Sequence, residues 1–255
     1  MILVLLGGMT TGLRGFRTQK KMSQGDTFSV PGTEANLRLN RFEIETTADG
    51  TVKQYRSYVS LIHPDGKIED HSITVNHPLT HKGIDIFQNS YGKEPRRIES
   101  ASLAVADGNT GERIGRTTAV FKKRKSFGGT NFSVHVKDFV CDFVMDVHTG
   151  QVDNRSAEHK NPAVFVELYV GEELMVSSWS FRKMPGFHSE DKPFDILLLD
   201  YEPAFYSVFE VAKSPGIQLV YTGFVGAAIG LLLSMGFGHN RSRKQSGNSR
   251  KEIPT

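Results

Sequence analysis

The chain holds nine histidines, 28 acidic residues and a single cysteine, the raw material for acid–base, nucleophilic or metal chemistry. Spacing decides which of these is open. No Gly-x-Ser-x-Gly elbow occurs, and Cys141 sits in the apolar, strand-like run FVCDFVM, where it reads as a buried structural thiol. His77 and His81 lie four apart, but Pro78 stands between them in a turn-like stretch, so they form no helical His-x3-His face. His71, His135, His148, His159 and His188 are scattered and read as ordinary surface or hydrogen-bonded residues. The expectation is no catalytic residue and no metal site. No glycine-rich phosphate loop opens a helix. The run Lys122-Lys123-Arg124-Lys125 before Gly128-Gly129 reads as a solvated hairpin end, with contact to acidic lipid as its functional option.

One segment stands apart, VNHPLTHKGIDIFQNSYG from Val75 to Gly92. Asn76-His77-Pro78 makes a rigid polar corner, 84–88 reads as a strand, and Asn89-Ser90-Tyr91-Gly92 closes it. An amide, an imidazole and a phenol on so short a stretch suit recognition of a partner, which makes Asn76, His77, Gln88 and Tyr91 the candidate contact residues. Read structurally, the same residues are a capped β-turn followed by an edge strand.

The elements that must carry this segment follow a period of two. Leu37 and Leu39 alternate with polar residues, and the apolar phase then shifts to Phe42 and Ile44, which predicts a bulge near Asn40–Arg41. Ala48-Asp49-Gly50 and Pro64-Asp65-Gly66 are turns around a strand at 53–63, and a further strand follows at 67–75. Val164, Val166, Leu168 and Val170 share one strand face, Gly171-Glu172 turns the chain, and 174–181 returns it. No sustained 3.6-residue apolar stripe crosses this body, so the expected fold is mainly β. It is a large antiparallel, sandwich-like domain over 26–213.

Charge and hydropathy separate the ends from this body. The net charge is +3 over 255 residues. Arg14, Arg17, Lys20 and Lys21 make the first 21 residues basic, and five Lys or Arg against Glu252 make 239–255 basic. The body is therefore mildly acidic, which disfavours a nucleic-acid partner. From Ser214 to Gly238 no charge occurs for 25 residues. A helix of that length reaches about 37 Å, enough for a hydrocarbon core of about 30 Å. The segment 214–238 is thus expected to be a transmembrane α-helix, with the basic tail 239–255 held in the cytoplasm and the body outside. Gly226 and Gly230 form a Gly-x-x-x-Gly pair suited to packing against another helix. MILVLLGGMTTGL, residues 1–13, is apolar over about half a crossing and lacks a basic flank before it. It reads as part of a membrane helix or as an anchor, joined to the body by a linker over 14–25.

Several stretches resemble the ResB (CcsB) family of cytochrome c biogenesis proteins: GDTFSVPGT (25–33), GTVKQYRSYVSLIHPDGK (50–67), VNHPLTHKGIDIFQNSYG (75–92), NPAVFVELY (161–169), LLLDYEPAFYSVFEVAKSPG (197–216) and the terminal apolar helix. Where the family usually has Tyr-Gln-Ser-Ser-Tyr-Gly this chain has Phe87-Gln88-Asn89-Ser90-Tyr91-Gly92, and its junction reads Lys213-Ser214-Pro215-Gly216. The resemblance implies several membrane helices, some upstream of residue 1, and a large extracytoplasmic domain before the last one. It also implies a non-catalytic role in cytochrome c maturation (System II). Such a protein works beside a CcsA/ResC-like membrane partner in delivering haem and attaching it to apocytochrome c.

On that reading the chain sits in a bacterial cytoplasmic membrane, and Asn76, His77, Gln88 and Tyr91 become candidates for contact with partner or haem. Any haem contact is expected to be transient and non-covalent. The family's membrane-embedded histidine has no counterpart here, since no histidine precedes His63. The competing expectation, from a different class, is a single-span β-sandwich binding or adhesion module unrelated to haem.

Overall fold

The computed structural model describes residues 1–182 and 193–248, with side chains described up to Leu233. Helix α1 (Ile2–Arg14) opens the chain and α2 (Ile217–Asn248) ends the described part. Between them run β1 (Phe16–Ser23), β2 (Thr27–Ser29), β3 (Asn36–Thr46), β4 (Val52–Ile62), β5 (Ile68–Thr74), β6 (Leu79–His81) and β7 (Ile84–Asp107). Then come β8 (Arg113–Val120), β9 (Arg124–Ser126), β10 (Phe132–Val140), β11 (Phe143–Met145) and β12 (Val152–Asn154). The last strands are β13 (Ala163–Val170), β14 (Glu173–Phe181) and β15 (Phe194–Lys213). The body is mainly β, with β3–β4, β4–β5, β10–β13 and β13–β14 all paired antiparallel, as the period-two patterning requires.

The residues expected as one β-domain fall into two compact units. The first comprises 1–90 and 208–255, and the second 91–207. The boundaries lie within β7 and β15, where an unbroken strand pattern hides them.

In the first unit, strands in the order β2-β3-β4-β5 form one sheet, and β1, β15, β7 and β6 form another. Both contribute to one core: Leu37, Leu39, Val59, Leu61 and Ile73 from the first, and Met22, Ile84, Ile86, Phe209 and Val211 from the second. Phe209 is fully buried, and such a side chain contributes about 2–3 kcal/mol of transfer free energy. The expected bulge is present: the β3–β4 register shifts between Leu39 and Arg41, so Asn40 is the extra residue that re-phases the apolar face.

The segment 14–25, expected as a linker, is instead largely strand β1. Phe16 and Met22 pack into this core, and β1 has β15 beside it. Two apolar anchors among basic residues were too few to show a period.

The second unit is built on β14-β13-β10-β9, with β8 paired to β7 and a small β11–β12 ribbon. Val164, Val166 and Leu168 do share the buried face of β13, and β14 returns antiparallel after the turn at Gly171. Its core gathers Leu103, Val105, Val134, Val136, Phe139 and Leu198 among others.

Candidate functional site

Asn76 and His77 form the turn that links β5 to β6. Thr74 and His77 exchange backbone bonds, N–H to O, at 3.2 Å in each direction. The Thr74 hydroxyl lies 3.1 Å from His77 Nδ1. This corner fixes the imidazole by one nitrogen while both Asn76 and His77 stay exposed. Beside it opens a groove of about 330 Å³ lined by residues 52–55 and 74–77. Of its lining residues Gln54 is held in place: its Nε2 donates to Glu45 at 2.6 Å, and Arg56 Nε donates to the same carboxylate at 3.0 Å. These bonds, Gln54 first, hold the Glu45 carboxyl below its ordinary value. Lys53, Tyr55, Asn76 and His77 thus present an ammonium, a phenol, an amide and an imidazole around one shallow cleft. Such a set hydrogen-bonds a polar chain or carboxylate. It contains no nucleophile–base pair and no flat apolar slot.

Gln88 has a different place. It is 3% exposed. Its Oε1 accepts from the Ser57 hydroxyl at 2.5 Å and its Nε2 donates to the Ser90 carbonyl at 3.1 Å. The side chain that sequence reasoning set out as a contact is internal. Tyr91 belongs to the second unit, half-buried, with its ring edge-on to Phe205 at 6.1 Å. Nor does 89–92 close a strand: β7 runs straight through it. A Cβ on Gly92 would collide with the Tyr206 phenol, so the glycine is there to admit that ring against the backbone.

The helices meet along glycines. A Cβ on Gly7 would lie 2.6 Å from the Gly216 carbonyl oxygen and 2.7 Å from Val220 Cγ2, and one on Gly223 would lie 2.7 Å from Val4 Cγ2. Gly216 N–H donates to the Thr11 hydroxyl at 3.0 Å. Pairing 11 and 7 with 216, and 4 with 223, makes α1 and α2 antiparallel neighbours. Gly226 and Gly230, the expected packing pair, meet nothing within 4 Å in this chain. Facing outward are Ile2, Leu5, Leu6, Met9 and Leu13 on α1, and Phe224, Val225, Ile229, Leu231 and Leu232 on α2, all exposed. Helix α2 runs ten residues past the expected end at Gly238. Among the described residues, no helix is long and apolar enough to cross a membrane.

In the second unit, Cys141 and His159 are both tied into the interior. Cys141 is fully buried, and burial pushes its thiol up. His159 lies between the Tyr201 hydroxyl, 2.9 Å from Nδ1, and the Glu94 carbonyl, 3.2 Å from Nε2. The carbonyl must be given the ring N–H, so Nδ1 accepts from Tyr201. Burial, then Lys93, holds this imidazole below its ordinary value.

Sequence reasoning missed one gathering of polar groups, His63, Glu69, His71 and His81 in the first unit. The signal was phase. Glu69 pairs with Leu61, His71 with Val59 and His81 with Ile84, all three partners in the core.

The chain is thus a β-rich body in two units, bracketed by a pair of antiparallel helices. The chain belongs to the ResB-like family, whose model matches residues 1–243. It is similar to the cytochrome c biogenesis protein CcsB of Trichormus variabilis (strain ATCC 29413 / PCC 7937), 24% identical over 244 residues, 88% of this chain and 52% of that protein. It is also similar to the CcsB proteins of Synechococcus sp. (strain JA-2-3B'a(2-13)), 30% identical over 110 residues (38% of this chain, 24% of that one), and of Gloeobacter violaceus (strain ATCC 29082 / PCC 7421), 31% over 103 (36% and 22%). The chain spans at most about half the length of these relatives.

Proposed function

We propose that this chain is a non-catalytic membrane subunit of System II cytochrome c maturation. It assists delivery of haem, as cargo, to apocytochrome c and its attachment there, beside a CcsA/ResC-like membrane partner. The observation that carries the reading is the antiparallel pair α1–α2. Its outer faces are apolar and exposed, and its inner faces touch through Gly7, Gly216 and Gly223. In water such a surface favours association. In a bilayer it is the ordinary solvent-facing side of a helix pair held by small residues. Both helices adjoin the first unit, at β1 and β15, which supports a body held on one side of a membrane with 214–238 read as the span. The basic tail puts that side outside the cytoplasm. Gly226 and Gly230, open in this chain, then face the position of a further helix from the partner.

Asn76 and His77 at the groove are the residues for docking partner or apocytochrome, and Tyr91 is a second, separate contact. The groove does not suit a resident haem: it is small, at about 330 Å³, and Thr74 occupies one nitrogen of the His77 imidazole that lines it. No step is therefore assigned to haem bound on this chain. Thioether formation proceeds on the partner and on the apocytochrome.

Deleting the gene should lower covalent c-type haem while b-type haem stays normal. Unchanged haem-stained c-type bands in a strain without a second copy would overturn the role. A reporter fused after Thr255 should be active only in the cytoplasm, and a periplasmic signal would reverse the orientation.

A further inference from the structure

Among the described residues, three buried imidazole nitrogens at one end of the first unit's core have no hydrogen-bond partner: Nε2 of His63, of His71 and of His81. Strand pairing brings them together. In the β4–β5 hairpin Val59 lies opposite His71 and Leu61 opposite Glu69, so both polar residues share the core-facing side. His63 N–H donates to Lys67 at 2.8 Å, which carries this pairing one step further. His81 ends β6, opposite buried Ile84. The turn after it, Lys82-Gly83, has φ of 48° and 73°, a two-residue hairpin turn that fixes where His81 sits. The Oε2 oxygen of Glu69 is 3.6 Å from His63 Nε2 and 3.6 Å from His71 Nε2, and the His63 and His81 rings stand edge to face at 5.4 Å.

A buried polar atom without a partner is costly, so three in one cluster, two of them beside one carboxylate oxygen, call for a common occupant. A single proton satisfies one nitrogen. A divalent cation satisfies several lone pairs at once, and the carboxylate balances part of its charge. Imidazole and carboxylate are donors of the zinc type, which takes four ligands at about 2.0–2.2 Å from N and O. Lys67 Nζ holds the other oxygen, Oε1, at 2.6 Å, leaving Oε2 turned to the rings.

We propose that His63, His71, His81 and Glu69 form a binding site for one divalent transition-metal ion of the zinc type. As placed, no three His, Cys, Asp or Glu groups among the described residues already stand in position to hold an ion. Loading therefore draws the rings inward by rotation of side chains on a fixed hairpin frame.

The test uses the full chain in detergent micelles, without a histidine tag and stripped by chelator. Added Co²⁺ should give the intense visible bands of a tetrahedral site, and equilibrium dialysis should retain one Zn²⁺ per chain. His71→Gln and His81→Gln should each weaken Zn²⁺ binding at least tenfold, whereas His148→Gln, on an exposed loop, should leave it unchanged. Glu69→Gln provides a third variant should either ring substitution fail to fold, and it should also weaken binding. The absence of both retained Zn²⁺ and Co²⁺ bands would overturn the proposal. So would binding that is insensitive to all three site variants. Neither readout involves cytochrome assembly, so this proposal and the proposed function can fail separately.

Discussion

Replacing Gln88 by methionine separates a core role from a contact role. The glutamine is almost fully buried, accepting from Ser57 at 2.5 Å and donating to the Ser90 carbonyl at 3.1 Å. Methionine conserves the volume, so little cavity forms, but both bonds go. Each lost bond that leaves a buried polar group behind costs about 1–2 kcal/mol, giving a loss of about 2–4 kcal/mol for the variant. Ser57→Ala alone should lose about 1 kcal/mol, and the double variant should fall short of the sum by about 1 kcal/mol, because one bond is counted in both singles. The single tryptophan, Trp179, lies in the second unit and would miss this change. Hydrogen exchange at β4 and β7 amides, read across a urea series, reports on the correct unit. A Gln88→Met variant within 0.5 kcal/mol of the parent, with strictly additive behaviour, would refute the internal role and return Gln88 to the surface candidates.

Three other outcomes follow from the same geometry. Gly92→Ala should destabilise by about 1–3 kcal/mol because its methyl meets the Tyr206 ring, and shortening that side chain in Gly92→Ala/Tyr206→Ala should recover part of the loss in thermal melts. His159 is depressed below 6.5 by burial, so the folded second unit binds fewer protons there than the unfolded chain. Its contribution is complete above pH 6.5 and is lost as pH falls through the depressed value, and His159→Gln should flatten melting temperature against pH below neutrality. Cys141 should resist a thiol reagent at pH 8 in the folded protein and react at once in guanidinium, whereas rapid labelling of the native state would contradict its burial.

What the sequence disclosed was local and periodic. A bulge at Asn40, the hairpins around Pro64-Asp65-Gly66 and Gly171, and the buried face of β13 each depend on side chains within a few positions of one another. Less legible were features decided at long range. Strand β1 is basic and holds its place through Phe16 and Met22 and a neighbour near residue 210. The unit boundaries at Ser90 and Val208 lie inside continuous strands, where composition does not change. Of the contact candidates, Asn76 and His77 kept a shared exposed corner. Gln88 took up internal bonds, because period-two alternation from Ile84 and Ile86 carries it to the buried face. The same alternation contained the signal for His63, His71 and His81, whose spacing of eight and ten residues looks random until Leu61, Val59 and Ile84 supply the phase.

The bond from Gly216 to Thr11 joins residues 205 apart in sequence. At about 5–20 residues per second of translation, α1 waits about 10–40 s before the chain that seats it has been made. During that interval Val4 and Gly7 expose a seam with no mate, and β1 lacks β15 as its neighbour. The second unit, made wholly within that interval, holds residues 91–207 and is free to fold before either terminus is docked. The first unit is thus clasped shut only once β15 and the start of α2 have been made. A released chain truncated before Val208 should accordingly show protease resistance over 91–182 and cleavage throughout 1–30.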